Sequence, residues 1–190
     1  MMLIKLAWGG KSLAADFRPP SAGGDAPGPY YQELISRTRS LLDTFGQQFP
    51  ELNGMTPELA GIGWHQGWND RVNQTFNDEY ESNLAHLIRD LRRDLKAPDL
   101  PFVIAETGMS GVNEKHPRAL SLMRAQAAVA EYPQFKQNVA FVGTKAFYRD
   151  EDQSPSRQGY HWNSNAETYY LIGEAMGRAM LKLLESTKGE

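Results

Sequence analysis

The chain has 190 residues, of which 41% are hydrophobic, 23% charged and 11% aromatic, a composition typical of one ordinary globular domain. Twenty Lys and Arg against 23 Asp and Glu give a net charge of −3, which disfavours nucleic acid and anionic membranes as partners. The absence of cysteine excludes thiol nucleophiles, Cys-ligated zinc and disulfides. No apolar run approaches the ~18–20 residues that span a bilayer.

Apolar runs and amphipathic stretches alternate along the chain. Four short apolar runs predict strands, at residues 3–7, 59–64, 101–105 and 139–143. Helical spacing of apolar residues predicts four helices, at residues 31–49, at 80–95, from Pro117 onward, and from a cap at Asn163 or Ser164. Each strand is followed by a helix, which predicts an α/β fold: a three-layer, doubly wound parallel sheet. Ligands bind such sheets beyond the carboxyl ends of the strands.

The four histidines differ in their surroundings. His86 lies opposite the apolar stripe of the second predicted helix, which predicts a surface residue. His116 precedes Pro117, which favours a turn residue over a catalytic one. His65 follows a strand and is either a structural histidine or a substrate contact. His161 lies in the loop before the last helix, at the ligand-binding edge, which favours a general base.

Two glycine turns lie at the same edge of the predicted sheet. The turn after the second strand carries amide side chains at Gln66 and Asn69, whose N–H groups can stabilise an oxyanion. The turn at Gly9 and Gly10 can add a backbone N–H for the same purpose. The alternative interpretation is that both turns serve only to reverse the chain.

The remaining motifs argue against other chemistry. Ser12 and Ser110 are candidate nucleophiles, but neither lies in a G-x-S-x-G elbow. No spacing of His, Asp or Glu predicts a metal site, and no phosphate-binding glycine motif is present. We therefore expect neither a metal nor another cofactor.

Three segments in order resemble the SGNH hydrolases, specifically their sialate O-acetylesterase-like branch of carbohydrate esterases. Residues 3–13 resemble the block whose glycine donates to the oxyanion, here Gly10 or Gly9. Residues 64–70 read Trp-His-Gln-Gly-Trp-Asn-Asp and resemble the next block, which makes Gln66 and Asn69 candidate oxyanion donors. Residues 160–162 read Tyr-His-Trp and resemble the block that carries the catalytic base, here His161.

Two departures from that family pattern are visible. A nucleophile block with Gly-Asp-Ser or Gly-Gln-Ser-Asn should precede residue 3 and does not. The acid that orients the histidine should lie three residues before it, where this chain has Gln158. The carbonyl of a Gln side chain can orient the imidazole but cannot balance its charge. The possible substitutes are Asp150, Asp152 and Glu167.

These departures predict a chain that is the C-terminal portion of a longer hydrolase, with the sheet incomplete at its N-terminus. The missing N-terminal segment would be a partner that carries the nucleophilic serine, and residues 1–190 alone would hydrolyse little. The resemblance implies an acetylated saccharide as substrate and a secreted or periplasmic location. From their position at the strand ends, four aromatic side chains are candidate substrate contacts: Trp8, His65, Trp68 and Trp162.

The alternative from another class is a non-catalytic carbohydrate-binding protein. In that interpretation the four tryptophans form a stacking platform at the strand ends: Trp8, Trp64, Trp68 and Trp162.

Overall fold

The computed structural model describes residues 1–186, which form a three-layer α/β structure. The three strands are β1 (Ile62–Trp64), β2 (Phe102–Ala105) and β3 (Val139–Val142). The α-helices are α1 (Pro29–Asp43), α2 (Phe45–Gln48), α3 (Trp68–Val72), α4 (Gln74–Asp94), α5 (Pro117–Ala130) and α6 (Ala166–Ser186). Short 3-10 segments lie at Pro20–Ala22, Pro50–Leu52, Gly111–Asn113, Lys145–Phe147, Glu151–Gln153 and Gly159–Ser164.

The sheet is parallel and has the order β1-β2-β3. Phe102 pairs with Ile62 on one side and Val139 on the other, which aligns the carboxyl ends of all three strands at one edge. This parallel α/β architecture agrees with the fold class that the sequence predicts. The second edge of β1 pairs with no strand among residues 1–186.

Helices cover both faces of the sheet because the strand residues are apolar on both sides. Phe102 and Ile104 point into the main core, which they share with buried residues of α1, α4 and α5. Ala105 points to the other face and packs with Ile172 of α6 and the indole of Trp162. No helix within residues 1–186 is both long enough and apolar enough to cross a bilayer.

The prediction of a strand at residues 3–7 is wrong. This segment forms no strand, and Leu3 is 81% exposed. An apolar run becomes a strand only when a neighbour pairs with its backbone N–H and C=O groups. The free edge of β1 has no partner in the described part of the chain, and residues 3–7 do not pair with it.

The helix predictions are confirmed except at some ends. α5 begins at Pro117, as predicted, because proline needs no hydrogen bond in the first turn. The first predicted helix ends early, at Asp43, and a separate short helix follows it. The last helix is capped by Asn165, not by Asn163 or Ser164: the Asn165 side chain accepts the backbone N–H of Thr168 at 3.1 Å.

Candidate active site

The turn at residues 66–70 holds the glycine turn of residues 9–14 in place. Asp70 is fully buried, and its carboxylate accepts the backbone N–H groups of Leu13 at 2.8 Å and Ala14 at 2.9 Å. It also accepts the Nε2–H of Gln66 at 2.6 Å. Burial raises the pKa of Asp70, while these three donors favour its ionised form. A buried carboxylate thus fixes the loop that carries Gly10.

The two candidate amide donors differ in how many N–H groups remain free. Gln66 donates through Nε2 to the carbonyl of Lys11 at 3.0 Å and to Asp70, which uses both of its N–H groups. Asn69 donates through Nδ2 to the carbonyl of Gly10 and keeps a second N–H. Because it keeps one N–H without a partner, Asn69 is a better candidate than Gln66 for donation to an oxyanion.

Gly10 and Gly67 are each required by local geometry. Gly10 has φ +67, in the left-handed region that favours glycine, and a Cβ added there would meet no atom within 4 Å. Its backbone N–H makes no hydrogen bond within residues 1–186. Gly67 precedes α3, and a Cβ there would lie 2.6 Å from a methyl group of Thr107. The chain therefore approaches β2 and α5 closely at this turn.

His161 is connected to the same turn through aromatic rings. Its ring lies 4.6 Å from that of Tyr160, between ring centroids, and the Tyr160 ring lies 5.5 Å from that of Trp68. The neighbouring rings of His65 and Trp162 are 6.1 Å apart. The residue 66–70 turn thus contacts both the Gly10 loop and the segment that bears His161, and the three segments lie at the carboxyl edge of the sheet.

The backbone that follows His161 is strained. Three consecutive residues without glycine have positive φ: Trp162 at +51, Asn163 at +52 and Ser164 at +57. Each costs about 1–2 kcal/mol relative to the right-handed region, so the run persists only because its surroundings hold it. Trp162 and Asn163 are both buried, whereas His161 remains exposed.

Gln158 acts on His161 through its backbone and not through its side chain. The carbonyl of Gln158 accepts the backbone N–H of His161 at 2.7 Å and that of Asn163 at 3.1 Å. The exposed Gln158 side chain makes no hydrogen bond in the described part of the chain. The Gln158 side chain therefore does not hold the imidazole here, contrary to the prediction.

The proposed acid substitutes do not reach the imidazole. Glu167 accepts two hydrogen bonds from the Arg149 guanidinium, both at 3.0 Å, and Arg149 lowers the pKa of this carboxyl. Asp150 and Asp152 are exposed on the loop before His161. Within residues 1–186 no carboxylate bonds to the His161 ring, whose segment is fixed instead by backbone contacts.

His65 is the second histidine at this edge. Although part of its side chain is exposed, the protein packed around the ring lowers its pKa to about 4 by desolvation. Desolvation therefore favours the neutral form of the ring. Its placement beside the buried indole of Trp162 fits a structural contact between β1 and the segment of His161.

The four tryptophans do not form one platform. Trp64 and Trp162 are 6% and 1% exposed, so neither ring is open to a ligand from solvent. Trp8 packs on Tyr30 of α1 at 4.5 Å and on Phe17. Trp68 is partly exposed and lies between Tyr160, the residue before His161, and the guanidinium of Arg71, which is 4.4 Å from the Trp68 ring centroid.

The other candidates have structural surroundings. Nδ1 of His86 lies 2.7 Å from the Ser21 hydroxyl, and His116 precedes the first turn of α5. Ser12 is 1% exposed and donates to Asp16 at 3.0 Å. Ser110 lies in a left-handed turn. Across residues 1–186 no group of three or more His, Asp or Glu is placed to hold a metal ion.

The comparisons agree with the motif order. A family model described as carbohydrate esterase, sialic acid-specific acetylesterase, matches residues 1–182. The chain belongs to this family. No curated protein and no solved structure gives a significant match. The carbohydrate esterase family model spans all three segments that meet at the carboxyl edge of the sheet.

Two structurally important residues of this carbohydrate esterase chain were not predicted from its sequence. Asp70 was visible only as the last letter of a motif, and Asn163 only as a possible helix cap. Both side chains are polar and fully buried, and both bind backbone groups. Asp70 binds the loop that carries Gly10, and Asn163 binds the carbonyl of Arg149 beside the His161 turn. The sequence signal for Asn163 is its place directly after Trp162, and that for Asp70 is its place at the end of the Gly67-Trp68-Asn69-Asp70 turn.

Proposed function

We propose that this chain provides the base and the oxyanion donors of a serine-dependent carbohydrate O-acetylesterase. The observation that carries the proposal is the double contact of the residue 66–70 turn. It is hydrogen-bonded to the Gly10 loop and, through Trp68 and Tyr160, touches the segment of His161. Membership of the carbohydrate esterase family supports the same reaction.

In the proposed reaction a serine hydroxyl attacks the acetyl carbonyl carbon and passes its proton to His161. The carbonyl oxygen becomes an oxyanion, which the backbone N–H of Gly10 and the second N–H of Asn69 stabilise. Collapse of the intermediate releases the saccharide hydroxyl, which takes the proton from His161. Water, deprotonated by His161, then attacks the acetyl-serine to release acetate and restore the serine.

The serine in this proposal lies outside the 190 residues. We do not assign this role to Ser12 or Ser110, since Ser12 is buried against Asp16, Ser110 lies in a left-handed turn, and within residues 1–186 neither hydrogen-bonds to His161. We assign the nucleophile to a Gly-x-Ser segment preceding residue 1, which would pair as a strand with the free edge of β1. The edge of β1 that pairs with no strand among residues 1–186 supports this placement.

The test compares two proteins: the 190-residue chain, and the product of the same gene extended upstream in frame. With acetylated xylan or p-nitrophenyl acetate, we expect turnover only from the extended protein, and its loss in His161→Ala and in an Ala variant of the upstream serine. Ser12→Ala should retain activity. The proposal fails if no Gly-x-Ser is encoded upstream, or if the short chain turns over normally and Ser12→Ala abolishes that turnover.

A non-catalytic carbohydrate-binding role is the second candidate. It is favoured by the ring pair of Trp68 and Tyr160, which sits at the sheet edge with Arg71 behind it. Saccharide binding that survives His161→Ala but not Trp68→Ala, with no esterase activity in the extended protein, would select this role.

A further inference from the structure

We propose that Asn163 is the positioning residue of His161: its buried amide anchors the turn that carries the histidine. The proposal rests on the proposed function for the role of His161, but its structural part does not depend on turnover. Asn163 lies two residues after His161, is 0% exposed, and has a left-handed backbone.

The side chain of Asn163 ties the turn to the loop that follows β3. Its Nδ2 donates to the hydroxyl of Tyr148 at 2.9 Å and to the carbonyl of Arg149 at 3.1 Å. The carbonyl of Arg149 can only accept a hydrogen bond, so the amide nitrogen of Asn163 must face it, which fixes the orientation of the side chain. The Tyr148 ring in turn packs near the indole of Trp162 at 6.3 Å.

The main chain of Asn163 is held equally firmly. Its N–H goes to the carbonyl of Gln158, which also accepts the N–H of His161. Its own carbonyl accepts the N–H of Ser156 at 3.1 Å. The His161 carbonyl accepts the hydroxyl of Tyr169 at 3.0 Å. Both peptide groups that flank the His161 Cα are thus fixed by hydrogen bonds.

The left-handed run explains why an anchor is needed at this position. It reverses the chain so that Trp162 is buried toward α6 while His161 stays outside, beside Tyr160. Asparagine tolerates the left-handed region better than other side chains, but tryptophan and serine on either side of it do not. Strain of this kind persists where the surroundings over-determine it, which here means the buried amide.

Three substitutions separate the anchor from the backbone conformation. Asn163→Gly keeps the left-handed conformation and removes the amide. Tyr148→Phe removes one acceptor and keeps the ring beside Trp162. Ser164→Gly is the matched control, because Ser164 has the same backbone conformation (φ +57) but an exposed side chain.

The primary measurement is NMR of the full 190-residue chain labelled with 13C-histidine, with the His161 signal assigned from His161→Gln. We expect one ordered ring signal in the parent and in Ser164→Gly. In Asn163→Gly the His161 signal should move toward the unstructured shift and its order parameter should fall, with His86 and His116 unchanged. Tyr148→Phe should shift it in the same direction by less.

An unchanged His161 signal in folded Asn163→Gly overturns the proposal. If that variant does not fold, Tyr148→Phe decides, and an unchanged signal there overturns it. In the upstream-extended protein, Asn163→Gly should lower kcat by about 10–100-fold at nearly constant KM. Absence of activity in the extended parent would refute the proposed function, while the NMR result would still decide the role of Asn163.

Discussion

The carboxylate of Asp70 accepts the backbone N–H of Leu13, a residue 57 positions earlier in the chain. Together with the bond to Ala14 and the one from Gln66, this contact joins two segments that bear the candidate oxyanion donors. The buried carboxylate should therefore contribute to the stability of the protein.

Asp70→Asn should lower the free energy of unfolding by about 2–4 kcal/mol, because an amide N–H must then face at least one buried donor. Urea unfolding followed by circular dichroism measures the change. Asp78→Asn is the control, since Asp78 is exposed on α4 and, within residues 1–186, accepts a hydrogen bond from Gln74 alone. Equal effects of the two substitutions would contradict the role given to Asp70.

Gly67→Ala and Gly173→Ala should have opposite effects. A Cβ at Gly67 would lie 2.6 Å from Thr107 and 2.8 Å from Leu122, and such overpacking costs about 1–3 kcal/mol. Gly173 is exposed within α6, and a Cβ there meets no atom within 4 Å. Alanine at that position should stabilise by about 0.5–1 kcal/mol. Thermal unfolding of both variants gives the comparison, and a stabilised Gly67→Ala would contradict the close approach.

His65 should titrate near pH 4, because desolvation lowers its pKa from the usual 6.5. As the pH falls from 6.5 to 4, the His65 ring therefore takes up its proton in the unfolded chain before it does so in the folded protein. The free energy of unfolding should decrease across this pH range. NMR titration of the ring gives the pKa directly. His65→Gln should make the unfolding free energy depend less steeply on pH in that window. A midpoint near 6.5 would show that the ring is hydrated.

Substitutions at Gln66 and Asn69 should affect different properties: stability at Gln66 and catalysis at Asn69. Gln66→Leu takes the donor from the Lys11 carbonyl and one of three donors from the buried Asp70 carboxylate, so it should cost about 1–3 kcal/mol of stability. In the upstream-extended protein, Asn69→Ala should lower kcat by about 10²–10³-fold, the usual loss for one oxyanion donor. A kcat effect confined to Gln66→Leu would transfer the donor role to that residue.

Local rules predicted the elements whose formation depends on their own residues. α5 could be placed because Pro117 fixes its start and its apolar residues recur at helical spacing. The strand at residues 3–7 could not be judged in that way, since a strand exists only through its neighbour. Apolarity alone gave the wrong answer there.

In the candidate site too, local features could be predicted from the sequence and long-range contacts could not. Asn69 follows the turn after β1, so its place at the carboxyl edge could be predicted from the parallel sheet. Gly10 was expected at the same edge because of a strand at residues 3–7 that does not form; it lies near Asn69 through hydrogen bonds instead. The hydrogen bonds between residues 10–14 and 66–70 span long separations in sequence, and no periodicity reports them. The Gln158 side chain was expected to orient the imidazole, but within residues 1–186 Gln158 contacts His161 through its carbonyl, which accepts the backbone N–H of His161. A spacing rule for side chains cannot anticipate the left-handed turn that creates this contact.

The open side of β1 also affects how the protein behaves at high concentration. Ile62 donates its N–H toward β2, so the N–H and C=O of Gly63 point outward. Unpaired backbone groups on an edge strand can template pairing with another molecule, and Gly63 has no side chain to obstruct it. The short strand of three residues limits this tendency. Self-association of concentrated samples, relieved by a peptide that occupies this edge, is the behaviour that such a sheet should display.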